Sequence, residues 1–344
     1  MPFLYTFASF HPTFLVANYG RKLTVGLVGN HTGYGQFKGT RTTADQIQEL
    51  YAGLEQSDLV NFDMMLTGYI PGAEAVFTVG QIAHQLKEKS ASRPGSFFWV
   101  LDPVMGDNGK LYVAPEVVPE YRKMIRDADL IVPNQYEAEW LSGVQIKDMA
   151  SLVKAVEVLH GDFGVPHVVI TSVSFPSLDT TGILSDFTEP KQLSVIGSTS
   201  TSDGKSRIFQ LSVPSLPCFF SGTGDMFAAL MVVRLREAVS KSTPDLSNTP
   251  SWKSTDDISA THLPLARATE LALASMQEIL ARTMIARDAE LAKLEGEATE
   301  GESEEEKKKE MHLRKTRAAE VRLVRNLDCL RSPGMRLKAE DVRL

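Results

Sequence analysis

Cysteine is scarce: Cys218 and Cys329 are the only two in 344 residues. They allow no disulfide framework and sit at no metal-binding spacing, so a reducing, cytoplasmic setting is expected. Long hydrophobic runs are missing as well. No segment reaches the 18 apolar residues of a membrane span, and no membrane partner is expected. The apolar opening, residues 1–19, lacks a basic start and is cut by Pro2 and Pro12, which makes it a poor signal peptide. An excess of positive charge is also lacking. The net charge of −7 argues against nucleic acid as the main partner. Familiar catalytic fingerprints are absent too: no G-x-x-x-x-G-K-[ST], no G-x-G-x-x-G after the first strand, no H-E-x-x-H, no G-x-S-x-G. Residues 197–206 (GSTSTSDGKS) approach the first of these, but the spacing is two residues too long and the surroundings read as a hairpin. No internal repeat is visible.

What the chain does have is apolar substance, 43% of its residues, and a regular alternation of elements. Strands are expected within 21–30 and 64–69, each running into a loop, and at 97–101, 128–132 and 167–172, with helices at 43–54, 73–89, 116–127, from 135, and at 151–160. The strands are apolar throughout rather than at every second residue. That is the pattern of a parallel sheet covered on both faces, an α/β three-layer sandwich. Residues 180–211 read instead as antiparallel strands. Residues 240–261, rich in Ser, Thr, Asp and Pro, read as a surface loop, and 263–294 as one long helix. The charge run at 295–309 reads as a solvated insertion, and 320–330 as an amphipathic segment docked on the core.

The stretch around which the chemistry is organised is S-G-T-G-D at 221–225, running into an apolar helix whose far end carries Arg234 and Arg236. Gly222 and Gly224 let the backbone turn sharply and aim N–H groups forward at the positive end of the helix dipole, a seat for phosphate. Asp225 has two readings there, a helix N-cap or a general base beside an anion hole. In an open parallel sheet, ligands bind at the carboxyl ends of the strands. Those ends carry Thr67 and Tyr69, then Asp102 and Asp107, then Asn134 and Glu137, then Thr171 and Ser172. Asp102, Asp107 and Glu137 place three carboxylates at one edge of one sheet, which suits magnesium beside a phosphorylated substrate.

N-H-T-G-Y at 30–34, L-T-G-Y at 66–69, D-P-V-M-G-D at 102–107, P-N-Q-Y-E-A-E at 133–139 and G-T-G-D at 222–225 together resemble the pyridoxal kinases of the ribokinase-like superfamily. G-T-G-D marks the superfamily. N-H-T-G-Y, with Q-F-K-G at 36–39 behind it, is specific to the pyridoxal branch. The resemblance implies ATP-dependent phosphorylation of the 5′-hydroxymethyl group of pyridoxal, pyridoxine or pyridoxamine, a vitamin B6 salvage reaction. It implies Mg2+, a monovalent cation (K+ or Na+) and a homodimer. Asp225 matches the catalytic base, and Gly222, Thr223 and Gly224 the anion hole for the transferred phosphoryl group. Asn134, Glu137, Thr171, Ser172 and Tyr112 match nucleotide contacts, with Gly222 and Thr223. Thr32 and Tyr69 match the pyridine pocket. Asp107 and Glu137 match magnesium-associated carboxylates, and Asp102 a residue near the monovalent cation. A hydroxymethylpyrimidine-type kinase of the same superfamily is the alternative enzyme, and a catalytically impaired vitamin- or nucleotide-binding protein the alternative class.

The chain departs from the family pattern at its start. The family opens with a strand bearing a substrate-binding serine, then a G-Y-V-G-N turn; residues 1–29 match neither, and N-Y-G at 18–20 is not that turn. The first, normally central strand is therefore expected to be missing or replaced, as an alternative start or gene-model error would leave it. The expected organisation is an atypical segment at 1–29, then a kinase domain at 30–344 with surface insertions at 240–261 and 295–312. Val132 is a second departure: the family usually has threonine there, near the cation site.

Overall fold

The computed structural model describes residues 38–107, 109–175, 192–243, 245–294 and 304–342, together with the backbone of three short strands nearer the start. In chain order the elements begin with β1 (Pro12–Asn18), β2 (Arg21–Gly26), β3 (Val28–Gly29), β4 (Gly39–Thr40) and α1 (Ala44–Gln56). They continue with β5 (Met64–Thr67), α2 (Ala73–Ser90), β6 (Phe98–Leu101), β7 (Gly106–Asp107), β8 (Lys110–Leu111) and α3 (Val117–Met124). Next come β9 (Leu130–Ile131), α4 (Gln135–Ser142), α5 (Met149–Gly161), β10 (His167–Val173), β11 (Gln192–Ser200) and β12 (Ser206–Pro214). The chain closes with α6 (Thr223–Ser240), α7 (Pro264–Leu294), α8 (Glu304–Ala318), α9 (Leu327–Arg331) and β13 (Glu340–Asp341).

Nine strands form one sheet in the order β13-β12-β11-β10-β9-β6-β5-β1-β2. Its centre, β5, β6, β9 and β10, is parallel. Antiparallel strands extend it on both sides. Both faces of the centre are buried, so its strands are apolar at every position. Met65, Trp99, Leu101, Ile131 and Ile170 belong to a core shared with α1–α5. Met64, Leu66, Phe98, Val100, Leu130 and Val169 belong to a second core under α6 and α7. That division is the three-layer sandwich expected from the sequence.

The start of the chain gives the missing-first-strand expectation a concrete form. The place beside β5 is filled by β1, which runs antiparallel to it (Leu15 opposite Leu66) and folds back into β2 at the sheet's edge. At 192–214 the expected hairpin is present, paired from Gln192–Pro214 to Ser200–Ser206. Gly204, at φ +82°, lies in its turn, so the near-miss phosphate-loop motif is a hairpin.

Three sequence expectations change. Arg234 does not cap the end of α6. It is buried, pairs with Glu237 at 2.8 Å and donates to the Leu330 carbonyl at 2.7 Å, tying α6 to α9. The 240–261 segment is a packed strap rather than a free surface loop: Leu246 and Trp252 are buried. The Trp252 ring stacks on Phe98 with centroids 4.1 Å apart, and its indole N–H donates to the Gly95 carbonyl at 2.9 Å. The strap passes so close to Gly95 (φ +74°) that a Cβ there would lie 2.2 Å from the Ser247 carbonyl oxygen. Arg207 reaches into the strap and donates to the carbonyls of Ser254, Thr255 and Ile258. Finally, the second half of the charge run is ordered, because α8 begins at Glu304.

Candidate active site

The carboxyl ends of β5, β6 and β10, with the residues after β9, converge on the amino end of α6. Gly222 is the N-cap of α6, in the left-handed region at φ +75°, and no side chain caps the helix. Its first backbone N–H groups are therefore available at the positive end of the dipole. Asp225 is in the first turn, at the third helical position. This removes one of the two sequence readings: the cap is Gly222, and Asp225 is not a side-chain N-cap.

Asp102 follows β6 and is buried against this helix end; a Cβ on Gly224 would sit 3.5 Å from Asp102 Oδ2. Burial, with the charges of Glu137 and Asp225 nearby, pushes the Asp102 carboxyl well above the usual carboxylate range.

Glu137 organises the next strand end. It is buried, and one oxygen accepts the N–H of Met105 at 2.9 Å and of Gly106 at 3.4 Å; the other accepts the Asn134 N–H at 2.9 Å. Burial raises its carboxyl to about 7 against the opposing pull of those three donors. Asn134 completes a capping box on α4 and sends its side-chain N–H to the Gly106 carbonyl at 2.7 Å. Together the two side chains hold the 102–107 turn, which presents Asp107 at the surface in β7. Gly106 must be glycine here, since a Cβ would lie 2.2 Å from the Lys110 carbonyl oxygen. Tyr112 stands over this turn, 63% exposed, and its phenol is raised by burial and by the charges of Asp107 and Glu137. Its backbone N–H donates to Met105 at 2.8 Å.

Thr171 bridges to Asn134 and donates its N–H to the Pro133 carbonyl at 2.9 Å, and Ser172 follows at φ +51°. Tyr69 is half-buried behind β5. Beside it is Tyr121, whose hydroxyl donates to the Gly68 carbonyl at 3.5 Å; burial and the charges of Asp102 and Glu137 hold its phenol far above its ordinary range. Tyr121 was not singled out from the sequence. It sits at core spacing in α3, and no local pattern marks it. Thr67 is buried and accepts the Trp99 indole N–H at 3.1 Å, so it braces the sheet. Thr32 lies outside the described residues.

Asp102, Glu137 and Asp225 thus share one electrostatic neighbourhood, with Asp107 and Tyr112 at its rim. Among the described residues, no three His, Cys, Asp or Glu side chains are grouped as a ready-made metal site. Glu137 already accepts three backbone N–H groups. The donor set fits magnesium only in its usual mode, one or two carboxylates with the remaining positions filled by substrate phosphates and water. Val132 is buried in the core beneath α6 and offers no side-chain oxygen to a monovalent cation.

The phosphomethylpyrimidine kinase family matches residues 58–240. A pyridoxal kinase of Arabidopsis thaliana is 30% identical over 313 residues, 90% of this chain and 81% of that protein. The Homo sapiens pyridoxal kinase is 34% identical over 208 residues, 59% of this chain and 64% of that protein. Among solved structures, the pyridoxal kinase of Leishmania donovani in complex with ADP and pyridoxamine superposes with a TM-score of 0.67 at 25% identity, covering 92% of this chain and 88% of that one. With the G-T-G-D helix end, the buried carboxyls and the Asn134–Glu137 brace at one sheet edge, these likenesses settle the family: the chain belongs to the pyridoxal kinases.

Proposed function

We propose that this chain transfers the γ-phosphoryl group of ATP to the 5′-hydroxymethyl group of pyridoxal, and of pyridoxine and pyridoxamine. The observation that carries this is the uncapped, glycine-bounded start of α6, with Asp225 one turn in and Asp102 against Gly224. Phosphoryl transfer asks for positioning and charge stabilisation more than covalent chemistry. The backbone N–H groups at 222–224 stabilise negative charge on the transferred group. Asp225 takes the hydroxyl proton as the oxygen attacks. Burial holds the neighbouring Asp102 carboxyl above the usual carboxylate range. Asn134, Thr171 and Ser172 line the nucleotide side, and Tyr112 covers it. Asp107 and Glu137 would hold magnesium, which supplies charge neutralisation on the phosphates. Tyr69, and Thr32 from its loop, would line the pyridine pocket. A homodimer and a cytoplasmic setting belong to the same proposal; the free Cys218 and Cys329 suit a reducing compartment.

The family match is named for phosphomethylpyrimidine kinase, so a hydroxymethylpyrimidine substrate is the competing enzyme reading. The N-H-T-G-Y loop and the pyridoxal kinase relatives favour pyridoxal. The antiparallel seat of β1 favours the other alternative, a chain that binds nucleotide with an incomplete pyridine wall. Side-by-side transfer assays with pyridoxal and hydroxymethylpyrimidine, plus thermal shift with Mg-ATP, separate the three. Formation of pyridoxal 5′-phosphate is expected. Transfer only to hydroxymethylpyrimidine, or a shift with no transfer to either, would replace the proposal.

A further inference from the structure

A cleft of about 480 Å3 opens at the amino ends of the parallel strands, away from the phosphoryl-transfer end. Its size lies within the ~300–1,000 Å3 of small-molecule sites. Asn61 and Asp63 enter it just before β5, Arg93 and Ser96 from the turn before β6, Arg236 from the later turns of α6, and Asn248 from the strap. Eleven residues of α6 separate Arg236 from Asp225, about 16 Å along the helix.

The charges in this cleft do not balance. Arg236 is held by Asp63 at 2.9 Å. Arg93 is exposed, and its guanidinium has no ion pair or side-chain hydrogen bond among the described residues. The Ser96 hydroxyl is buried with no hydrogen-bond partner. Two neighbouring sets of groups are already satisfied: the Trp252 indole N–H goes to Gly95, and the last carbonyls of α6 accept N–H groups from Lys241 and Ser242. Arg93 thus lines this polar space as a fixed-charge cation without an ion pair among the described residues, while the Ser96 hydroxyl oxygen is closed off from it. A guanidinium fork pairs best with a carboxylate or phosphate.

We propose that this cleft binds a small molecule bearing a phosphate or carboxylate group, with Arg93 paired to the oxyanion. The proposal does not depend on which substrate the opposite end phosphorylates.

The test is calorimetric titration of the full chain with inorganic phosphate and, separately, with citrate. Wild type is compared with Arg93→Gln, Arg93→Lys and Ser96→Ala. Phosphate can also reach the start of α6, so the readout is the Arg93-dependent part of the binding. Arg93→Gln should weaken that part by about tenfold, Arg93→Lys should restore some of it, and Ser96→Ala, whose hydroxyl is closed off from the cleft, should leave it unchanged. The anion that retains the Arg93 dependence identifies the ligand class. The unfolding midpoint without anion should be the same for wild type and Arg93→Gln, which confirms a folded variant. Identical titrations for wild type and Arg93→Gln with both anions, or no binding of either, would overturn the proposal and leave a water-filled cleft.

Discussion

At the carboxyl ends of the parallel strands, Asp102 and Glu137 are buried with no cation beside them among the described residues, and burial raises both carboxyls. At the amino ends, Asp129 is equally buried but fully engaged. One oxygen accepts the Trp99 N–H at 2.8 Å, the other the Ser251 hydroxyl at 2.7 Å and the Lys87 ammonium at 3.2 Å. Beside it His167 bonds Thr199 and the Ser251 carbonyl, and His160 bonds Ser198 and the Val165 carbonyl. In its buried interior, one sheet therefore keeps carboxyls without a neighbouring cation at one end and joins Asp129 and the two histidines into hydrogen-bonded networks at the other. Unbalanced buried carboxyls are a cost to folding that chemistry can use. Closed networks fix the strap and the strand register.

The largest effect that should separate the two ends is catalytic. Asp225→Asn should lower transfer to pyridoxal on the order of 10²–10⁴-fold while Mg-ATP binding changes little, because an amide cannot accept the proton. Equal turnover in mutant and wild type would leave the site end without a base. The counterpart at the amino end is Asp129→Ala. Loss of three donors' partner should destabilise by about 3 kcal/mol, read as a drop in the urea midpoint, with turnover per folded molecule retained.

Acid should find the amino end first. Burial lowers His160 from 6.5 to about 4 and His167 to about 3. Both are neutral when folded, and the unfolded chain takes up their protons first as pH falls. Their contribution is therefore complete above pH 6.5 and is lost as pH drops toward 4 and then 3. Glu137 works in the other direction. Its folded value near 7 lies above the unfolded 4.5, so its ionisation costs stability as pH rises across that interval. His160→Gln should flatten the acid limb of a stability–pH curve; an unchanged limb would show that other groups set it. A smaller effect, opposite in sign to most mutations, is expected from Asp102→Asn: a gain of about 1 kcal/mol at pH 8, with turnover lost. A clear loss of stability would mean that the Asp102 charge is compensated in the fold.

How much of this contrast the sequence shows differs between the ends. The carboxyl-end residues sit in contiguous motifs right after apolar strands, so G-T-G-D, D-P-V-M-G-D and P-N-Q-Y-E are visible as words. The amino-end network joins Lys87, Trp99, Asp129, His167 and Ser251, which share no motif and meet only through folding. The strap was read as a surface loop because its short turns have no periodicity, and only Leu246 and Trp252, scattered among Ser, Thr and Pro, mark its buried side. In α8, glutamates four residues before lysines, as in Glu304 and Lys308 or Glu305 and Lys309, were a helix signal that total charge concealed. Arg234 was taken for a helix-end charge because its partner carbonyls at Leu330 and Arg331 are remote in sequence.

The short ladder of β13 on β12 joins Phe209 to Asp341 and Gln210 to Glu340, positions about 130 residues apart in the chain. Contacts between such distant segments require the largest loop closures and form late. During synthesis β12 can pair with β11 at once, but its outer edge must wait for nearly the whole remaining chain to emerge. For that interval a nine-residue strand presents open N–H and C=O groups, a template on which a neighbouring nascent chain could dock. The docking of β13 then covers the middle of that edge, at Phe209 and Gln210, so part of this protein's exposure to aggregation is a matter of timing in its birth.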